Sequence, residues 1–434
     1  MPRSVSLLQT ITVSVGITIG SGIFRVPATV AAQLHAPGVM LLCWVLGGVI
    51  ALCGALSVAE LAGALPRSGG IFAYLLESYG PLPAFLFGWS ELVVLRAAAL
   101  GAIATIFAEY LGYFVPLSAM QVRYTAALAI VVIGALNYAG VQRAAAVLGA
   151  ATAMKYAVLF ALGLLAFTAA GGSRAHFSPA WPTALPLSML ATALIPVMWT
   201  YDGWADPAFM GGEVSNPQRN MPLALIVGTA CVMLVYLVVN VGFLYALPPG
   251  EMAGAKLIAA TVASRIPLLA GTGAAVVAAA VVVSAFSGLN ASMMAGSRVF
   301  FAMADRGLFF RVAARVSPRF HSPSVAIWLA TILGVAYVLE NDFAQLADKF
   351  ILGIWPFYAL AVAGVFVLRY RRPTMSRPYR VWGYPLVPAV FLLASVYMVL
   401  NALLTDARNS GITFGIILAG VPVFWLRRVL GRGP

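Results

Sequence analysis

Gly16-Ile17-Thr18-Ile19-Gly20-Ser21-Gly22-Ile23-Phe24 lies inside the first long apolar run of the chain, where a membrane-spanning helix is expected. Three glycines and two hydroxyl side chains crowd into these nine residues. Glycine costs about 1 kcal/mol relative to alanine in a helix interior. Here that cost falls at bilayer mid-depth, where non-helical backbone is tolerated only if it lines a cavity or is buried in protein. Two readings follow from the stretch alone: a helix interrupted to make a site, or close helix packing through small residues, which membrane interfaces use routinely.

The surrounding chain narrows the choice. Of 434 residues, 62% are hydrophobic and 9% charged, against about 25% charged in soluble domains. Apolar runs of about 20 residues recur along the whole length, so the fold class expected is an all-α integral membrane protein rather than a barrel. We count about 12 spans, joined by short loops and without a soluble domain. No cleavable signal peptide is expected, because the first apolar run continues past Pro27 without a small-residue cleavage site.

The net charge of +13 does not point to nucleic acid, since the basic residues collect in loops on one side. With the N-terminus inside, about 17 Lys/Arg fall on the cytoplasmic face and about 6 on the other, a positive-inside pattern. The inside set includes Arg306, Arg311, Arg315, Arg319, Arg371, Arg372, Arg377, Arg380, Arg427 and Arg428. Contact with anionic membrane lipid follows as a by-product. Both termini are expected in the cytoplasm. Cys43, Cys53 and Cys231 lie in apolar runs and read as small buried hydrophobes. His35, His176 and His321 lack ligand spacing, so no metal and no cofactor are expected.

Helix 1 is expected over Ser6 to Ala32, helix 2 over Pro37 to Leu65, helix 3 over Leu82 to Phe114, helix 4 over Tyr124 to Ala139 and helix 5 over Ala145 to Ala170. A short amphipathic segment, Ile71 to Glu77, precedes helix 3. Helix 6 starts near Leu187 and meets a second anomaly, Trp199-Thr200-Tyr201-Asp202-Gly203-Trp204-Ala205-Asp206-Pro207. Helices 7 (Pro222–Leu247), 8 (Ala274–Ala304), 9 (Ser324–Leu339), 10 (Phe350–Arg369), 11 (Pro388–Leu404) and 12 (Ile412–Leu426) complete the expectation. The two interruptions are five spans apart and therefore opposite in orientation. Paired, interrupted spans in corresponding halves are the best sequence pointer to an inverted-repeat secondary transporter. The halves would be 1–170 and 187–370, with 385–430 forming helices 11 and 12; the repeat is inferred from topology, since no direct identity links the halves.

A break in helix 1 leaves a second half-helix whose first amides and positive dipole end suit an anion. Gly20 and Gly22 let a ligand approach the backbone, and Ser21 adds a hydroxyl. The carbonyls ending the first half-helix, near Thr18 and Ile19, suit an ammonium group. Anionic and cationic cradles this close together fit an α-amino acid zwitterion.

Gly20-Ser21-Gly22-Ile23-Phe24 with Pro27 resembles the helix-1 signature of the amino acid–polyamine–organocation superfamily, and more closely the chain resembles its L-amino acid transporter family and that family's bacterial relatives. Supporting matches are Pro66-Arg67-Ser68-Gly69-Gly70 with Tyr74 and Glu77, Tyr79-Gly80-Pro81-Leu82-Pro83-Ala84-Phe85, and Tyr201-Asp202-Gly203-Trp204. Glu213, Asn216-Pro217, Arg219-Asn220, Ser287 to Ser292 with Arg298, and Arg377-Pro378-Tyr379-Arg380 extend the likeness from helix 1 to helix 11.

The resemblance implies a LeuT-like five-plus-five inverted repeat with discontinuous helices 1 and 6, plus two further helices. It implies that backbone at Ser21 and Gly22 holds the substrate carboxylate. Carbonyls at Thr18 or Ile19, and from Trp199 through Thr200 and Tyr201 to Asp202, would hold the amino group, and Trp199 would be an aromatic gate. It implies that Lys155 in helix 5 points at the helix-1 break in place of a sodium ion, which means sodium independence and leaves proton coupling open. An intramembrane lysine is a functional residue by default; the plainer alternative is that it snorkels to the interface. Asp202 matches a form found in relatives that accept cationic as well as neutral amino acids, and it equally suits an N-cap of the resumed helix. At Ala205 and Asp206 the sequence departs from the pattern of eukaryotic members. Glu60 and Glu91, with Arg96 and Glu109 nearby, read as structural hydrogen-bonding groups. Glu213 and Arg219 read as cytoplasmic loop residues that pair with the basic segment between helices 8 and 9. Eukaryotic relatives link a glycoprotein heavy chain through a cysteine between helices 3 and 4; Val115 to Arg123 contains none, so no such partner is expected.

The function expected is sodium-independent exchange of neutral L-amino acids in a bacterial inner membrane. A proton-coupled symporter of the same fold is the alternative, and a cationic amino acid or polyamine carrier a further one. An enzyme is disfavoured, for no nucleophile–base pair or phosphate loop of recognisable spacing occurs. A channel is disfavoured because the polar breaks are local and no charged ring repeats along a pore.

Overall fold

The computed structural model describes residues 3, 5–67, 69–139, 155–182, 187–269, 271–305, 315–320 and 322–430. Ser68, Arg143, the expected start of helix 5 at Ala145, Arg306, Arg311 and His321 lie outside the described residues. Within them the chain is helical and no β-strand occurs. In chain order the helices are α1 (Leu7–Thr18), α2 (Val26–Leu34), α3 (Pro37–Ala64), α4 (Gly70–Tyr79), α5 (Pro81–Leu111), α6 (Ala119–Tyr138) and α7 (Lys155–Thr168). There follow α8 (Leu187–Tyr201), α9 (Pro217–Ala246), α10 (Pro249–Gly254), α11 (Ile258–Ser264), α12 (Gly273–Asp305), α13 (Ser324–Glu340), α14 (Phe343–Arg371), α15 (Leu386–Thr405), α16 (Ala407–Leu418) and α17 (Gly420–Leu430).

Eight helical stretches among the described residues are long and apolar enough to cross a bilayer, and α1, α7 and α13 are shorter apolar helices. Their outward faces carry bare aliphatic side chains: Leu128, Leu234 and Leu393 are each more than 60% exposed. In water such surfaces would aggregate; against lipid they are solvated. Cys231, expected to be buried, lies on such an outward face of α9. A run that is apolar all round carries no periodicity to tell inward from outward positions.

Several boundaries differ from expectation for local reasons. α14 begins at Phe343 rather than Phe350, because Asp342 and Gln345 form a capping box; Asp348 and Lys349 in its second turn hide that start from hydropathy. α9 begins at Pro217 and carries Pro222 within it, as α8 carries Pro196 and α14 carries Pro356. Interior prolines are tolerated where neighbouring helices satisfy the freed backbone. The last expected span is divided into α16 and α17.

α1 packs along α9, α3 along α9 and α8, and α5 along α12, α13 and α14. Near the chain start, the Val5 amide donates to the Glu213 carbonyl at 3.1 Å and the Ser215 amide to the Val5 carbonyl at 2.9 Å, so the segment before the first break is tied to the segment after the second. Glu213 is engaged through its backbone; of the basic residues expected to pair with it, Arg306 and Arg311 lie outside the described residues, and Arg315 and Arg319 form no ion pair with it among the described ones.

Glu60, at the end of α3, is 1% exposed. Its carboxylate accepts from Arg369 Nε at 2.8 Å and Nη2 at 2.5 Å and from the Val381 amide at 2.8 Å, and Arg377 Nε lies 3.4 Å away. Arg369 also stacks 3.8 Å from the Tyr384 ring centroid. One carboxylate thus joins α3, α14 and the 372–385 loop. Stranding one member of a buried pair costs roughly 3–5 kcal/mol. Glu60→Gln keeps some hydrogen bonds, so we expect a loss of about 2 kcal/mol, seen as a lower Tm of the detergent-solubilised protein.

Candidate functional site

α1 stops at Thr18 because Ile19 leaves helical geometry (ψ 83°), and the chain resumes as a 3-10 turn, Gly22–Phe24, leading into α2. α8 stops at Tyr201, and Gly203 turns the chain with φ +105°. A Cβ on Gly203 would stand 3.0 Å from the Thr18 Cα. Only glycine satisfies both the positive φ and this approach, and it brings the two interruptions backbone to backbone. They share a cavity of about 440 Å³ with α5, α7, α12 and α14.

Around the first break the polar backbone divides into two sets. The amides of Ser21, Gly22 and Ile23 donate to no carbonyl among the described residues, whereas Phe24 and Arg25 close onto Ser21 and Gly22 at 3.2 and 2.9 Å. The Ser21 hydroxyl is buried and unpartnered. These are orphan donors of a helix start; Ser21 and Gly22 line the cavity, and their amides suit an anion such as a carboxylate.

The end of α1 supplies the opposite set. The Gly16 carbonyl accepts from Lys155 Nζ at 3.0 Å. The Thr18 carbonyl accepts from the Gly20 amide at 2.8 Å and from the Tyr236 hydroxyl at 2.9 Å. The same hydroxyl lies 3.1 Å from the Thr200 carbonyl on the second break. A hydroxyl has one proton, so one phenol of α9 bridges both breaks and donates to one of the two carbonyls at a time, leaving acceptor capacity at the other.

Thr18, Gly20, Ser21, Gly22, Lys155, Trp199, Thr200 and Asp202 all line the cavity. Ile19 and Tyr201 lie behind its wall: Ile19 is buried among apolar neighbours, and the Tyr201 hydroxyl donates to the Trp44 carbonyl at 3.1 Å. Trp199 meets Phe343 edge-on at 5.2 Å. Arg25 lies 5.3 Å above the Phe343 ring centroid and pairs with Glu109 at 2.9 Å. Lys155 does not reach for an interface; its ammonium is held on the helix break.

Tyr236 escaped sequence reasoning, since a tyrosine in a uniformly apolar helix gives no sign of what its hydroxyl will reach. The polar end of the cavity escaped it too. Glu91 and Arg96 are five residues apart, about 140° around an α-helix axis. The chain forms a π-turn over Glu91–Leu95, which brings them onto one face. Arg96 Nη2 then pairs with Glu91 at 3.0 Å and Nη1 donates to Ser292 at 2.8 Å. Gly296 provides the socket: a Cβ there would lie 2.3 Å from Arg96 Nε. Asp202 accepts from the Tyr358 hydroxyl at 2.9 Å, and Asp206 also lines the cavity.

A family model described as Amino acid permease matches residues 5–426. The chain belongs to this family. It is 31% identical to the human b(0,+)-type amino acid transporter 1 over 414 residues, covering 93% of this chain and 83% of that protein. It is 31% identical to the human Cystine/glutamate transporter over 446 residues, covering 100% and 87%. The Serine/threonine exchanger SteT of Bacillus subtilis (strain 168) is 28% identical over 427 residues, covering 98% and 97%. The permease is thus a multi-pass membrane transporter of the amino acid–polyamine–organocation superfamily, on the branch of the L-amino acid transporters, and its relatives are amino acid carriers rather than enzymes.

Proposed function

We propose that the protein is a sodium-independent exchanger of neutral L-amino acids that works by alternating access around the two breaks. The observation that carries this reading is the pairing of orphan amides at Ser21 and Gly22 with the carbonyl ends at Thr18 and Thr200 in one cavity. A zwitterion satisfies both at once, its carboxylate on the amides and its ammonium toward the carbonyls, with Trp199 over it. Lys155 supplies the positive charge that a sodium ion would bring to the Gly16 carbonyl, which supports sodium independence. The exchanger named among the relatives supports exchange.

The same reading takes the helices as a LeuT-like five-plus-five inverted repeat, 1–170 and 187–370, with 385–430 as two added helices and about 12 spans in all. It puts both termini in the cytoplasm of a bacterial inner membrane, on the positive-inside asymmetry. It needs no disulfide-linked heavy chain, since Val115 to Arg123 carries no cysteine.

Radiolabelled amino acid uptake into sodium-free proteoliposomes tests this. Uptake is expected only when the vesicles contain unlabelled amino acid, and sodium should not raise it. Uptake into empty vesicles under an inward proton gradient would replace exchange with proton symport.

A further inference from the structure

The interruption at Ile19 makes α1 a lever with a glycine-bearing joint at one end, and such a joint can let a half-helix swing alone. The far end of the lever decides whether it does. Val5 pairs in parallel with Val214 as an isolated β-bridge. Besides the two backbone bonds, the Ser215 hydroxyl donates to the Val5 carbonyl at 3.0 Å, so both lone pairs of that oxygen are used. Val214 is buried, Val5 packs against the core, and two β-branched residues suit the extended backbone. A single residue separates the bridge from the helix: Ser6, whose capping box with Gln9 fixes how α1 leaves it. On the other side, Asn216 turns the chain into α9 at φ +44°, and Asn220 Nδ2 donates to the Ser215 carbonyl at 2.6 Å. Farther along, a Cβ on Gly228 of α9 would collide with the Ser14 hydroxyl, and Gly203 meets Thr18 at the break. α1 is therefore held to the second break and to α9 at its start, its middle and its end.

The cavity is open with this arrangement intact. Of its lining residues among those described, Thr12, Ile17 and Ala295 are the exposed ones, which places the mouth between α1 and α12. We infer that the Val5 bridge is a clasp that stays closed through the exchange cycle. α1 and the segment 206–216 then move as one body, and the mouth opens and shuts as that body parts from α12 and meets it again. This rests on the alternating-access reading and states which part moves. Were α1 to swing alone, opening the mouth would strip Val5 from Val214 and strand the backbone groups of both. The mouth is open here and the bridge is whole.

A disulfide across the clasp tests this in proteoliposomes. Val5→Cys with Val214→Cys puts two thiols on paired extended residues, within disulfide reach. Counting free thiols by mass spectrometry before and after reduction reports closure against the background of Cys43, Cys53 and Cys231. The oxidised protein is expected to exchange amino acids within about twofold of its reduced form. A loss of at least about tenfold on oxidation, restored by reduction, overturns the inference. If the double variant does not fold, hydrogen–deuterium exchange of the unsubstituted protein decides. The Val5 and Ser215 amides should stay protected when the amino acid that exchanges fastest is added, and loss of protection at both overturns the inference. Ala295→Cys, modified with a bulky maleimide, tests the exchanger reading separately. The label should plug the mouth and stop exchange, with maleimide-treated wild type as the reference. Exchange that survives the label sinks the exchanger reading of this cavity, whatever the disulfide does.

Discussion

Replacing Gly22 by alanine is expected to cut amino acid exchange at least about 100-fold, because a displacement of an ångström at a positioned site costs that much. The added Cβ would meet Trp199 Cζ3 at 2.7 Å and the Thr200 Oγ1 at 3.0 Å. Both atoms belong to the second break, so the methyl group pushes the two interruptions apart. Trp199 cannot yield without losing its edge-on contact with Phe343, and Phe343 carries the Arg25 guanidinium that pairs with Glu109. The strain should cost about 1–3 kcal/mol of stability, so Tm falls along with exchange. Gly20 provides the contrast. A Cβ there meets only the Thr18 carbonyl oxygen, at 4.0 Å, and otherwise points into open space. Gly20→Ala should therefore leave Tm near wild type while still weakening substrate binding, since its methyl occupies room the ligand would use. Exchange in Gly22→Ala within a few fold of wild type would mean that the breaks tolerate separation and that their contact does not shape the site.

The two breaks could be read from sequence because each is marked by residues that act locally. Gly16, Gly20 and Gly22, and Gly203 with Pro207, weaken a helix wherever they stand, and their placement inside apolar runs made that weakness conspicuous. The expectation of a zwitterion cradle followed from helix-end chemistry alone. What joins the breaks could not be read this way. Tyr236 is some 35 residues beyond the second break, and nothing in its neighbourhood distinguishes a hydroxyl that crosses to Thr18 and Thr200 from one at a helix end. The Glu91–Arg96 pair depends on a π-turn, and five-residue spacing argues against a pair on any helix without one. Asp206 was visible as an acid in a span, but that it shares a cavity with Glu91 and Arg96 is a property of the packed helices.

Lys155→Ala is expected to lower exchange at least about tenfold, the order of effect seen when a cation is taken from a helix C-terminus in a buried geometry. The last turn of α1 ends with carbonyls that have no intrahelical partner. Val15 gives its carbonyl to the Ile19 amide, Thr18 gives its own to Gly20 and Tyr236, and Gly16 depends on Lys155. The contact is close-built, for a Cβ on Gly16 would fall 2.5 Å from the Tyr156 hydroxyl. Removing the ammonium strands a carbonyl at membrane depth and unties α7 from the break, so the half-helix that ends at the cavity loses its fixed position. Lys155→Met separates charge from volume: it keeps most of the stem, and if the ammonium is what holds Gly16, it should exchange no better than alanine. Sodium then becomes a direct probe. If the ammonium stands where a sodium ion would otherwise sit, sodium should partly restore exchange in Lys155→Ala while leaving wild type unaffected. Wild-type exchange rates in Lys155→Met would show that the side chain fills space and that the positive charge at the break is dispensable.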